Sequence, residues 1–226
     1  MKLRIRNLLI EKDIIPNIIE TYPNNALLAP TEESFYGCLY GNNCNILCYH
    51  ISRLTHEEII NIKKFGLVFG SKDLLYNKVK NLPSCCDWFK AELIEHIKKL
   101  RETQADNAIC ASYGYLDLEK DPGCDNIFHI NWGGETIYNY YDKGNRFRDE
   151  RLQKIHETLQ QISYPCIIIL RVDIPTFCNS ELHSLFARLK KTKDSKKIFG
   201  SLYIENTVPE VVDIIDLNIY DGIDFN

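Results

Sequence analysis

Asn45-Ile-Leu-Cys-Tyr-His-Ile-Ser-Arg-Leu-Thr-His-Glu-Glu-Ile-Ile-Asn-Ile-Lys-Lys-Phe-Gly66 changes character half-way along. Its first part follows Gly41-Asn42-Asn43 and is rich in apolar and β-branched residues, which predicts a buried strand with His50 at or near its C-terminal end. Its second part predicts a helix with both ends marked. Thr55 stands at the N-cap with Glu58 at the capping-box position, Ile59, Ile62 and Phe65 make an apolar stripe, and Gly66 suits the C-cap.

Working outward, residues 1–30 predict one or two helical pieces, with Pro16 at a helix start and Pro23-Asn24-Asn25 as the stop. Leu74–Lys80 and Cys86–Thr103 read as helices, the second carrying Trp88, Phe89, Leu93, Ile97 and Leu100 at helical spacing. Ile127–Trp132 alternates like a strand, Gly133-Gly134 breaks it, and Glu135–Tyr141 and Asp149–Ser163 predict helices. Tyr164–Val172 reads as a central strand by its β-branched content, Leu182–Leu189 as a helix, and Lys190–Lys197 as an exposed lysine-rich loop. Short strands are expected at Leu202–Glu205 and Val211–Leu217. Helices dominate the first half and strands the second, which favours an α+β domain over regular α/β alternation.

The 226 residues, 45% hydrophobic and 26% charged, suffice for one substantial core. A single domain over 1–226 is expected, with 1–40 as a helical N-terminal extension and 41–226 as the core. A formal charge of -4 gives no global attraction to a phosphate backbone. Nine irregularly spaced cysteines suit free thiols in a reducing compartment, so a cytoplasmic location is expected. No apolar run approaches the roughly 20 residues that span a bilayer, and no membrane partner is expected. Cys38, Cys44, Cys48 and His50 match no standard zinc spacing, so no metal is expected. Dinucleotide-fold, phosphate-loop, zinc-protease and nucleophile-elbow motifs are missing.

Three blocks carry chemistry. In Tyr49-His-Ile-Ser-Arg-Leu54, a backbone-fixed histidine suits a ribose hydroxyl, though it would equally satisfy a loop carbonyl. In Ile127–Tyr141, Trp132 offers a flat surface for a ring to stack on, or else a core filler, and Glu135 opens a helix where the dipole favours its charge. In Gly200–Val212, Ser201, Tyr203 and Glu205 share one strand face by alternation.

In this order the blocks resemble the ADP-ribosyltransferase superfamily of the poly-ADP-ribose polymerase and diphtheria-toxin type, over roughly residues 45–217. Its marks are a strand with His-x-Ser, a following helix, then Gly-Leu, here Gly66-Leu67. The resemblance implies a mixed, split β-sheet with packed helices that grips NAD as co-substrate without a metal. It implies that His50, Ile51, Ser52, Arg53, Trp132 and Tyr138 form the NAD site, with the Ile51 main chain on the carboxamide. Catalysis would fall to His50 with Glu135 or Glu205. Relatives carry their acid nearer Ser201 or Leu202, so this sequence departs from them there. The implied activity is mono-ADP-ribosyl transfer to a macromolecular acceptor, protein or nucleic acid, as by a toxin or effector. A catalytically silent nucleotide- or protein-binding module and an RNA 2′-phosphotransferase are the alternatives.

Overall fold

A computed structural model describes residues 31–41, 45–82, 84, 87–99, 108–114, 150, 157–159, 161–173, 179–191, 199–205 and 207–216. In chain order these form α1 (Glu32–Gly41), β1 (Asn45–Thr55), α2 (His56–Phe65), α3 (Lys72–Lys80), α4 (Asp87–Lys99), β2 (Ala108–Gly114), β3 (Ser163–Asp173), α5 (Asn179–Lys191), β4 (Phe199–Glu205) and β5 (Glu210–Asp216). The class is α+β. The strands form one five-stranded sheet in the order β4-β2-β1-β3-β5. All four pairings among the described residues are antiparallel, while the strand expected at 127–132 lies outside them. Residue alternation carries no information about strand direction, and the long connection from β1 to β3 permits either sense.

The apolar run Cys166-Ile-Ile-Ile-Leu170 puts β3 in the interior, buried on both faces. On one face Cys48, Leu54, Ile168, Leu170, Ile109 and Ile204 meet Phe35 of α1, Ile59 of α2, Leu67 and Leu185 of α5. Phe35, only 1% exposed, belongs to this core, so the segment expected as an extension contributes to the body from α1 onward. A second cluster joins Val79, Leu82, Phe89, Leu93 and Ile97 to Leu159.

The helix after β1 forms as its ends dictate. Thr55 Oγ1 accepts from the Glu58 N–H at 3.2 Å, and Glu58 Oε2 accepts from the Thr55 N–H at 2.8 Å. Gly66 closes the helix at φ 85°, its N–H donating to the Ile62 carbonyl at 2.9 Å. Ser71 caps α3 by accepting from the Leu74 N–H at 3.0 Å.

Several boundaries move. β1 runs on to Thr55, so His50 sits in mid-strand rather than near the strand's end. Ser163 opens β3 instead of closing the preceding helix, because it pairs with Thr55 in register. Lys190 and Lys191 continue α5 instead of starting a loop. Helix α1 falls within the segment expected as helical, whereas strand β2 was unanticipated; Ala108-Ile-Cys-Ala-Ser-Tyr-Gly114 is rich in small residues of weak strand preference. The helices expected in 1–30, the strand at 127–132 and the helix at 135–141 lie outside the described residues. Among the described residues no helix is long and apolar enough to cross a membrane.

Candidate functional site

The two flanks of β1 are unequal. Against β3 it pairs without interruption from Asn45↔Asp173 to Thr55↔Ser163. Against β2 it pairs at Cys48↔Tyr113 and Tyr49↔Ser112, and the described ladder stops there. The next residue is His50. Its Nδ1 lies 2.7 Å from the carbonyl oxygen of Cys110 on β2. A carbonyl can only accept, so Nδ1 carries the proton and Nε2 of the neutral ring is left as an acceptor.

That contact also fixes the direction of the main chain. The Cys110 carbonyl must point toward β1, and in an antiparallel ladder the pointing direction alternates residue by residue. Ser112 therefore also points toward β1, and its partner Tyr49 toward β2. Hence His50 turns its N–H and C=O to β3, while Ile51 and Arg53 turn theirs to the β2 side, beyond the last described pair. Pro165 provides a check. It pairs with Arg53, whose own groups turn away from β3, so the Pro165 nitrogen points away from β1 and no β1–β3 bond asks it for an N–H. A residue with no N–H is tolerated at that position.

His50 is half-buried, on the same sheet face as Cys48 and Leu54. Burial pushes its imidazole below the ordinary 6.5; the Cys110 carbonyl opposes this, and the charge of Lys78 adds to it. The ring is accordingly neutral at pH 7. Lys78 of α3 is held by Glu58 of α2, Nζ to Oε1 at 2.8 Å, while Glu58's other oxygen takes the Thr55 N–H. Sequence reasoning missed Lys78, which nothing in the text of α3 distinguishes from its neighbouring lysines.

Ser52 shares the face of His50 by alternation and is half-buried. Arg53 does not share it. Only 4% exposed, Arg53 projects from the opposite face, donating from Nε to Ser163 Oγ at 3.2 Å and from Nη2 to the Ser163 carbonyl at 2.7 Å. Ser163 Oγ in turn donates to the Leu159 carbonyl. Arg53 thus fastens the start of β3 to the end of β1. Burial lowers its pKa from the ordinary guanidinium value.

Glu205 ends the edge strand β4 opposite Ala108 and is exposed. Because Ile204 faces the core on His50's side of the sheet, Glu205 faces the other. Trp132, Glu135 and Tyr138 lie outside the described residues. Among the described residues no group of three or more His, Cys, Asp or Glu is placed to hold a metal ion.

Comparison with family models, with curated proteins and with solved structures finds no match to this chain. The chemistry at this position therefore has to be read from its own groups. A fixed Nε2 acceptor beside a main-chain N–H and C=O suits a ligand that brings a hydroxyl together with an amide.

Proposed function

We propose that the chain is an NAD-dependent mono-ADP-ribosyltransferase acting on a macromolecular acceptor. The reading rests on one observation above all: just beyond the described pair Tyr49↔Ser112, His50 Nδ1 meets the Cys110 carbonyl, which fixes the imidazole tautomer and leaves Nε2 as an acceptor next to the Ile51 main chain. In this reading Nε2 of His50 accepts from a hydroxyl of the nicotinamide ribose, and Ile51 pairs with the carboxamide. Trp132 stacks on the ring, and Tyr138 closes the site.

The C–N bond between ribose and nicotinamide breaks, and its electron pair leaves with the neutral base. The acceptor's nucleophile forms the new bond at the same carbon and releases its proton. A carboxylate is needed beside the oxocarbenium-like transition state. Glu135 is the better assignment, since Glu205 belongs to the other face of the sheet. A role as a cytoplasmic toxin or effector follows by analogy with small stand-alone members of the superfamily.

That same position of Glu205 favours a second reading, a silent module that binds the dinucleotide without cleaving it. The 2′-phosphotransferase reading loses support, because Arg53, which it needs at the phosphate, is engaged by Ser163. Incubation with NAD and a cell lysate, following nicotinamide release, separates the first two. Release by the wild type that is lost in His50→Ala and Glu135→Gln is expected. NAD binding without release would favour the silent module, and no binding at all would end both readings.

A further inference from the structure

Glu32 opens α1, His183 lies near the start of α5, and the two side chains meet where the helices pack. His183 Nδ1 stands 2.9 Å from Glu32 Oε1 and 3.0 Å from Oε2. The Tyr36 hydroxyl, one turn along α1, donates to Oε1 as well. These hydrogen bonds, first from Tyr36 and then from His183, hold the Glu32 carboxyl below the usual carboxylate range. An ionised carboxylate can only accept, so Nδ1 carries the proton and Nε2 of the neutral ring keeps its lone pair. The arrangement is anchored by Phe35, buried in the core, with its ring centre 5.3 Å from that of Phe186 on α5. His50 has the same tautomer but is half-buried. The His183 side chain is 66% exposed and makes no other hydrogen bond among the described residues.

We propose that His183 is a phosphoryl-accepting residue, with Nε2 as the nucleophile and Glu32 as its positioning residue. The donor is a phosphoramidate, a phosphoryl group carried on a protonated nitrogen. Nε2 attacks phosphorus and the new N–P bond forms. The donor's N–P bond breaks, and its electron pair leaves with that nitrogen as a neutral amine. The positive charge that arises on the ring is offset by Glu32 across the Nδ1–H. Other roles for an open Nε2 fit less well. A general base needs a nucleophile to deprotonate, and no described hydroxyl or thiol is hydrogen-bonded to this ring. A metal ion needs further ligands, and among the described residues no group of three or more His, Cys, Asp or Glu is placed to supply them. An acyl group on an imidazole is lost quickly to water at an open surface, whereas the negative oxygens of a phosphoryl group slow that attack. The proposal uses neither His50 nor the sheet, so it stands apart from the NAD reading.

The test is incubation of the full chain with phosphoramidate near neutral pH, following each histidine by peptide mass spectrometry and the labelled nitrogen by phosphorus NMR. His56, exposed at the start of α2 and hydrogen-bonded to no carboxylate among the described residues, is the internal reference. His183 is expected to be labelled severalfold faster than His56, and at Nε2. Glu32→Gln keeps an oxygen that can accept from Nδ1 but removes the charge, and should bring His183 down to the rate of His56. Glu32→Ala frees Nδ1 and should spread the label over both ring nitrogens, an effect that a merely structural contact would not produce. Glu32 and His183 lie at the surface, so circular dichroism of the variants should match the wild type. Labelling of His183 no faster than His56, labelling at Nδ1 in the wild type, or an unchanged rate in Glu32→Gln overturns the proposal.

Discussion

β1 treats its two neighbours differently. Toward β3 it pairs residue by residue in a continuous ladder from Asn45 to Thr55 and adds the Arg53–Ser163 fastening. Toward β2 the described pairs are Cys48↔Tyr113 and Tyr49↔Ser112, and the His50 side chain reaches the Cys110 carbonyl beside them. The first flank carries the continuous pairing, and the second carries the contact that fixes the His50 tautomer. Mutations on the two flanks should therefore have separable consequences.

The largest effect is expected on the β3 flank. Ile168, fully buried and paired with His50 across the ladder, should lose about 2–5 kcal/mol of unfolding free energy on substitution by alanine. Chemical denaturation checks this, and a cost below ~1 kcal/mol would remove β3 from the core. Arg53→Ala should cost about 2 kcal/mol by the same measurement, because Ser163 loses charge-assisted donors in a buried setting. If Arg53→Ala instead abolished NAD binding with stability unchanged, the assignment of Arg53 to the fastening would be wrong.

On the β2 flank the expected signature is a pH slope. The folded protein holds His50 below its ordinary pKa, so as pH falls below about 6.5 the unfolded chain takes up a proton that the folded chain resists. This contribution is intact above that pH and is lost as the pH drops, at no more than about 1.4 kcal/mol per pH unit for one proton. His50→Gln should flatten stability between pH 5 and 7, an interval set by the ordinary histidine pKa near 6.5. An unchanged slope would show that other groups carry it. The smallest effect belongs to the junction after β1: Thr55→Ala should cost about 1 kcal/mol through the lost cap of α2.

Local signals in the text were reliable where local physics decides the outcome. Thr55, Glu58 and Gly66 announce α2 because a cap needs nothing beyond its own few residues. Cys166–Leu170 announces a central strand because a strand buried on both faces has no polar positions. Strand direction, the early end of the β1–β2 ladder and the seating of Arg53 on Ser163 were not legible, since each depends on residues some sixty or more positions away. For the same reason Glu205 stood only slightly behind Glu135: period-two alternation tells which residues share a face, but which face holds His50 is a tertiary fact. Ala108–Gly114 escaped notice because its strand is imposed by β1 and β4 on either side rather than by its own residues.

The central claim is that NAD meets His50 and the Ile51 main chain on the β2 side of β1. The most direct test is an NMR titration of the protein with NAD, following the His50 ring and the Ile51 amide. Saturable shifts of both signals, absent in His50→Ala at Ile51, are the predicted result. Shifts clustering elsewhere while these two signals stay fixed would contradict the account.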